Sequence, residues 1–182
     1  MASTEEHGTL PLPQLNPAPK VLLVAAPFYR SIADGLITGA RTVVEQTGGS
    51  CDVIEVPGAL EIPTAIHLAQ RHYEGFVALG CVIRGETTHY ETVCNDSSRA
   101  LTLLGLEGIC IGNGILTCET MDQAKVRADP NEMDKGGGAA AAALHLIALR
   151  RCFHIPDRPD RAPTDDGDDI LMANAAGLTR TA

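Results

Sequence analysis

No run of residues in this chain is apolar for long enough to cross a bilayer. Aromatic side chains are scarce, with no Trp and only three Phe and three Tyr among 182 residues, so a ring at a strand exit stands out. Cys51, Cys81, Cys94, Cys110, Cys118 and Cys152 show no paired short spacing, which argues against a disulfide framework. Several lie inside apolar runs, where a reduced Cys is a small core side chain, so buried thiols are expected. Neither HExxH nor CxxC is present, and His and carboxylates do not cluster, so no metal is expected. No GxxxxGK[ST] or GxGxxG follows an apolar run, which argues against a nucleotide hydrolase or a dehydrogenase. Lys and Arg are scattered rather than striped and the formal charge is −9, so no nucleic-acid surface is expected. The opening residues carry Glu5, Glu6, Pro11, Pro13, Pro17 and Pro19 without a basic start or apolar centre, so the expected address is cytoplasmic.

What remains suits one domain with a full core. Apolar runs at 20–26, 51–56, 76–83 and 108–115 read as strands buried on both faces. Helical patterns occupy 31–47, 60–73 and 91–104, with Gly48-Gly49 and Gly105 as stops. A short helix over 119–128 and a long Ala- and Leu-rich helix over 135–152 follow. Alternation with short connections gives right-handed βαβ units. The expected fold is α/β: a flavodoxin-like three-layer sandwich around a four-stranded parallel sheet, spanning 20–154. Residues 1–19 form an extended Pro-rich segment, and 155–182 an acidic tail expected to be disordered, with Asp157, Asp160, Asp165, Asp166, Asp168 and Asp169. The Gly and Ala surface of 136–143 suggests close approach by another helix, including one from a second copy.

Ligands of such folds gather beyond the carboxyl ends of the strands. The exit at 80–95, GCVIRGETTHYETVCN, carries the most chemistry. A strand that stops at Gly and Thr before a helix points free N–H groups at an anion, and His89 adds a proton carrier in that turn. Alternatively Thr87 or Thr88 only caps the helix and His89 faces solvent. Phe28 is either a lid over a helix end or a platform for a flat heterocycle. Glu61, in the first turn after Pro57-Gly58, either complements a helix dipole or holds a polyol. Glycines flanking Asn113 suggest a loop that a ligand approaches closely. Arg127 is a candidate phosphate clamp, although an Arg near a helix end is more often a surface residue.

Taken together, PGALEIP at 57–63, GCVIRGETTHYETV at 80–93, GNGILT at 112–117 and DKGG at 134–137 resemble the lumazine synthase family. The likeness runs from about residue 21 to residue 151. It implies condensation of 5-amino-6-(D-ribitylamino)uracil with 3,4-dihydroxy-2-butanone 4-phosphate, giving 6,7-dimethyl-8-ribityllumazine, phosphate and water, without a metal or organic cofactor. By the resemblance Phe28 stacks on the pyrimidine and Ala59, Leu60 and Glu61 hold the ribityl chain. Cys81, Val82 and Ile83 line the pyrimidine through backbone contacts. Glu86 and Thr87 seat the phosphate opposite Arg127, His89 moves protons, and Lys135 adds positive charge. Asn113 comes from a neighbouring subunit, since family sites lie between the subunits of a homopentamer.

The chain departs from the family pattern at four positions. Many members have Asn where Tyr29 stands, an aromatic at Asn113, Thr at Cys81, and an acid at Gly138 that supports the His. The runner-up reading is a non-catalytic flavin- or lumazine-binding shell protein. Expected partners are small-molecule substrates and further copies of the chain, as a pentamer or a higher assembly, with riboflavin synthase as a candidate; no nucleic acid or membrane is expected.

Overall fold

Strands covered on both faces need no polar alternation, and each continuous apolar run does become a strand, the two central ones buried on both faces and the two edge ones only in part. The computed structural model describes residues 10–153 and the backbone of 172–174 and 177–179. In chain order the elements are β1 (Lys20–Ala25), α1 (Arg30–Gln46), β2 (Ser50–Glu55), α2 (Ile62–Ala69) and β3 (Gly75–Ile83). They continue with α3 (His89–Leu106), β4 (Cys110–Cys118), α4 (Met121–Ala128) and α5 (Lys135–Cys152). The four strands form one parallel sheet in the order β2-β1-β3-β4. Two further short strands, β5 (Met172–Asn174) and β6 (Gly177–Thr179), pair antiparallel with each other. Most of the expected acidic tail, and the first nine residues of the expected N-terminal segment, lie outside the described residues.

Alternation along β1 sorts the two cores. Val21, Leu23 and Ala25 face the layer of α1, α4 and α5, while Leu22 and Val24 face α2 and α3. Each buried Val or Leu contributes about 1.5–3 kcal/mol by leaving water. The result is the expected three-layer α/β sandwich. Because β2 and β3 flank β1 on opposite sides, the strand order reverses at β1, and a crevice opens beyond the carboxyl ends of β1 and β3. Among the described residues no helix is long and apolar enough to cross a membrane.

Three details differ from the sequence expectation. First, 112–117 is not a loop but the interior of β4. Its glycines admit a helix rather than a ligand: a Cβ on Gly112 would lie 1.8 Å from the Ala139 carbonyl oxygen of α5. Second, the smooth face of α5 is used within the chain. A Cβ on Gly136 would lie 2.1 Å from the Leu36 carbonyl oxygen of α1, and Ala139, Ala140 and Ala143 are buried. Third, α2 stops at Ala69, short of the expected Tyr73, because Tyr73 turns inward, is 4% exposed and donates its hydroxyl to Asp52 at 2.8 Å.

The N-terminal residues that are described form no helix or strand. Leu12 and Leu15 pack against the core on the α1 and α5 side, and Arg151 donates to the Pro17 carbonyl at 2.8 Å.

Close helix packing makes the glycines of α5 and β4 unequal. Gly112→Ala is expected to destabilise by about 3 kcal/mol or more, since backbone atoms block the new methyl. At Gly138 an added Cβ meets nothing within 4 Å, so Gly138→Ala is expected to stabilise the helix by about 0.5–1 kcal/mol. Denaturant unfolding of the two variants measures both.

Candidate functional site

Four strand exits supply the candidate site. After β1, Ala26 stays tied to the sheet by donating to the Leu79 carbonyl at 2.8 Å, and the chain then turns at Pro27. Phe28 follows, 74% exposed, with Tyr29 packed edge-on at a ring separation of 5.0 Å and an angle of 75°. A large aromatic ring left that open is available to stack on a flat ligand. Arg30 closes this exit onto β2 by a forked contact with Glu55, at 2.5 and 3.0 Å. That guanidinium holds the Glu55 carboxyl below the usual carboxylate range.

After β2, Val56 donates to the Ala25 carbonyl at 2.9 Å, and Glu61 donates its amide to the Gly58 carbonyl at 3.2 Å, closing a turn before α2. Ala59 is buried against the sheet, while Leu60 and Glu61 are exposed. Glu61 occupies the cap position of α2 but makes no capping bond through its side chain. Its carboxylate instead folds over Gly58, where a Cβ would lie 2.9 Å from Oε2. The carboxylate is thus open to accept hydrogen bonds from a ligand.

After β3, Arg84 extends the ladder by donating its amide to the Cys118 carbonyl at 2.9 Å. Residues 85–89 are all exposed, and α3 opens at His89, two residues earlier than the pattern suggests. Thr88, at the cap position, makes no side-chain cap, and Thr87 Oγ1 accepts only a long bond of 3.4 Å from the His89 amide. First-turn amides of a helix have no partner within it, so this turn keeps the donors that an anion needs. Among the described residues no hydrogen bond holds the His89 ring.

The fourth group lies along β4, the strand at the sheet edge. Thr117, Arg127, Lys135 and Gly138 line an open cleft of about 410 Å³, and Asn113 stands at its far end. Arg127 donates to the Gln123 carbonyl of its own helix at 3.1 Å. Among the described residues neither Arg127 nor Lys135 pairs with a carboxylate, so the cleft is positive. The anion turn and the cleft adjoin, because Tyr90, next to His89, lies beside Thr117, which lines the cleft. Asn113 shares this cleft but lies lower in the ladder, opposite Ala78, whereas Leu116 stands opposite Cys81.

Cys81 and Cys118 touch beneath these exits. Burial, followed by the neighbouring Cys118 sulfur, pushes the Cys81 thiol up to about 12. Burial also raises Cys118, against the pull of the nearby Arg127 charge. Cys110 is buried as well, Cys51 and Cys94 are half-buried, and Cys152 is exposed, so the expectation of buried thiols holds for only part of the set. Among the described residues no group of three or more His, Cys, Asp or Glu is arranged to hold a metal ion.

Sequence reasoning missed one element of the site. Arg84 lies between Glu119, at 2.9 and 3.1 Å, and Glu91, with its guanidinium 4.1 Å from the centre of the Tyr90 ring. Glu91 follows at a spacing that suggests nothing, and Glu119 is 35 residues away, so only the β3–β4 pairing reveals the cluster.

A family model described as 6,7-dimethyl-8-ribityllumazine synthase matches residues 18–151, which hold the whole parallel sheet and nearly all of its helices. The chain is 56% identical over 149 residues to the 6,7-dimethyl-8-ribityllumazine synthase of Jannaschia sp. (strain CCS1), covering 81% of this chain and 84% of that one. It is 53% identical over 133 residues to the enzyme of that name from Novosphingobium aromaticivorans, covering 72% of this chain and 96% of that one. With the enzyme of that name from Zymomonas mobilis identity is 52% over 134 residues, again covering 72% and 96%.

The thiols beneath the crevice offer a direct check of the geometry. A thiol raised to about 12 is almost wholly protonated at pH 8, so Cys81 is expected to resist iodoacetamide in the native protein and to react at once in denaturant. Peptide mass mapping reads the difference, and rapid native labelling of Cys81 would contradict the described burial.

Proposed function

The chain belongs to the 6,7-dimethyl-8-ribityllumazine synthase family, and on that premise we propose that it condenses 5-amino-6-(D-ribitylamino)uracil with 3,4-dihydroxy-2-butanone 4-phosphate. The products are 6,7-dimethyl-8-ribityllumazine, orthophosphate and water, which makes the chain a transferase of riboflavin biosynthesis. One observation carries the reading: a helix turn with unspent amides and His89 adjoins a cleft whose Arg127 and Lys135 lack carboxylate partners among the described residues. That is a place for a phosphorylated substrate beside a proton carrier.

In this reading the catalytic unit is 20–154 and each residue acts through the chemistry its position allows. Phe28 offers its open ring to the pyrimidine. The backbone of Cys81, Val82 and Ile83, at the end of β3, lines the heterocycle. Ala59, Leu60 and Glu61 hold the ribityl chain, with the Glu61 carboxylate accepting hydroxyl hydrogens. Glu86 and Thr87 present amides and a hydroxyl to the phosphate, while Arg127 faces it from the cleft and Lys135 adds charge. A departing phosphate gains negative charge, and fixed donors already in place stabilise it most at that moment. His89 takes a proton from the attacking amine and returns one during elimination and ring closure; imidazole is the side chain suited to both directions near neutrality. Holding both substrates together removes an entropic cost of up to about 7–11 kcal/mol.

Asn113 enters the pyrimidine site from a second copy of the chain. Its place on an edge strand supports this, since β4 has a strand neighbour on one side only in the sheet. The face beside β4 supports assembly too. Leu106, Leu146, Leu149 and Phe153 are 82, 40, 50 and 70% exposed around an apolar groove of about 410 Å³ along an edge strand. We take the assembly to be a cytoplasmic homopentamer or a multiple of it; sedimentation measures this.

Mixing the protein with both substrates and following lumazine absorbance tests the activity. His89→Ala is expected to lower kcat by about 10²–10⁴-fold, and Arg127→Ala by about 10²–10³-fold. Tight binding of the lumazine by a wild-type chain that never forms it would overturn the reading.

A further inference from the structure

We propose that Arg84 is a positioning residue: braced between Glu91 and Glu119 and stacked on Tyr90, it fixes the first turn of α3, and with it the His89 ring and the Thr87 amide, against the bound anion. From sequence alone an Arg in an anion loop would pass for a phosphate ligand. The structure assigns its guanidinium elsewhere, because Nε faces both Glu119 oxygens and Nη1 faces Glu91. The brace joins the segment after β4, the anion loop and the first turn of α3 through side chains. Tyr90 belongs to the same unit, with the Arg84 guanidinium over its ring. Paired with Arg84, Glu91 is held below the ordinary carboxylate range.

His89 lies between Thr88 and Tyr90, and among the described residues no hydrogen bond holds its ring. At Gly138 there is no side chain to approach it. Its direction is therefore set by the helix turn it stands on, and the brace is what fixes that turn. These charges are 41, 46 and 58% exposed, so the network adds little to global stability. Its effect is local geometry.

The inference rests on the proposed reaction for its meaning, but its test does not need turnover. Two variants separate positioning from charge. Arg84→Met removes a positive charge near the anion, whereas Glu119→Ala removes a negative one. If the cluster acts through its field alone, the first weakens inorganic phosphate binding and the second tightens it. If it acts as a brace, both weaken binding, by about threefold or more, and both lower kcat by about tenfold while the KM of the ribitylaminouracil stays put. Phosphate binding is followed by calorimetry, and the ring direction by the chemical shift of 13C-labelled His89, expected to move in both variants. Arg84→Lys is not expected to rescue, since an ammonium cannot fork between two carboxylates and stack on a ring at once. Opposite signs in the two variants, wild-type phosphate binding in Glu119→Ala, or full rescue by Lys would overturn the proposal. Should Arg84→Met fail to fold, Glu119→Ala decides alone. A wild-type protein that binds phosphate yet makes no lumazine would defeat the proposed function and leave the brace to be judged on phosphate and His89.

Discussion

The parallel ladder between β3 and β4 is the constraint on which the candidate site depends. It runs unbroken from Gly75 opposite Cys110 to Ile83 opposite Cys118, and the Arg84 amide adds one more rung. A parallel ladder of that length leaves no freedom of register, since a slip of one residue would turn every side chain to the wrong layer. The charged part of the candidate site hangs from its upper end. The anion loop leaves β3 there, Glu119 leaves β4 there, and the Cys81 and Cys118 sulfurs meet just below. Close packing of α5 on Gly112 keeps the ladder flat against its helix layer and brings Lys135 to the cleft.

Ion pairs divide between the two ends of the sheet in a way that separates stability from function. At the amino ends of the strands, Arg151 forks onto Glu74 at 2.7 Å twice, with side chains 26 and 23% exposed. Lys20, Asp52 and Tyr73 form a second cluster there, the Tyr73 hydroxyl being buried against the carboxylate. These contacts tie α5, β2 and the N-terminal segment to the sheet, and of them only the Arg151–Glu74 pair is well shielded from solvent. At the carboxyl ends the pairs are more open, and solvent screens open pairs until they contribute 1 kcal/mol or less. Their value lies in direction rather than energy: Arg30 with Glu55 orients the Phe28 turn, and Arg84 with its two carboxylates orients the turn bearing His89.

Much of this was legible in the chain because the physics was local. Continuous apolar runs at β1 and β3 identify doubly covered strands, and the Gly-Glu-Thr-Thr-His sequence identifies an exposed helix opening, which is what the structure holds. The errors come from contacts distant in sequence. Glycine at 112 reports that something approaches the backbone, but not whether it is a ligand or a helix, and Ala139 lies 27 positions further on. Tyr73 fits the helical spacing of α2 and leaves it only for the hydrogen bond to Asp52. Arg84 looks like any basic residue in a turn until Glu119 is brought alongside by the sheet. Of the candidate residues, Phe28, Glu61 and the 85–89 turn do lie at strand exits, whereas Asn113 lies inside β4.

Gly138 ties these threads to chemistry. A carboxylate at that position would stand in the cleft lined by Arg127 and Lys135 and would neutralise part of its charge. With glycine there, no acid at that position competes for those cations, which in the proposed reading leaves the cleft's positive charge for a departing phosphoryl group. The same absence withdraws one means of aiming the imidazole. With no acid at 138, the proposed reading leaves His89 to be fixed through the helix turn itself. The Arg84 cluster does so with charges that sit outside the cleft and leave its positive field intact.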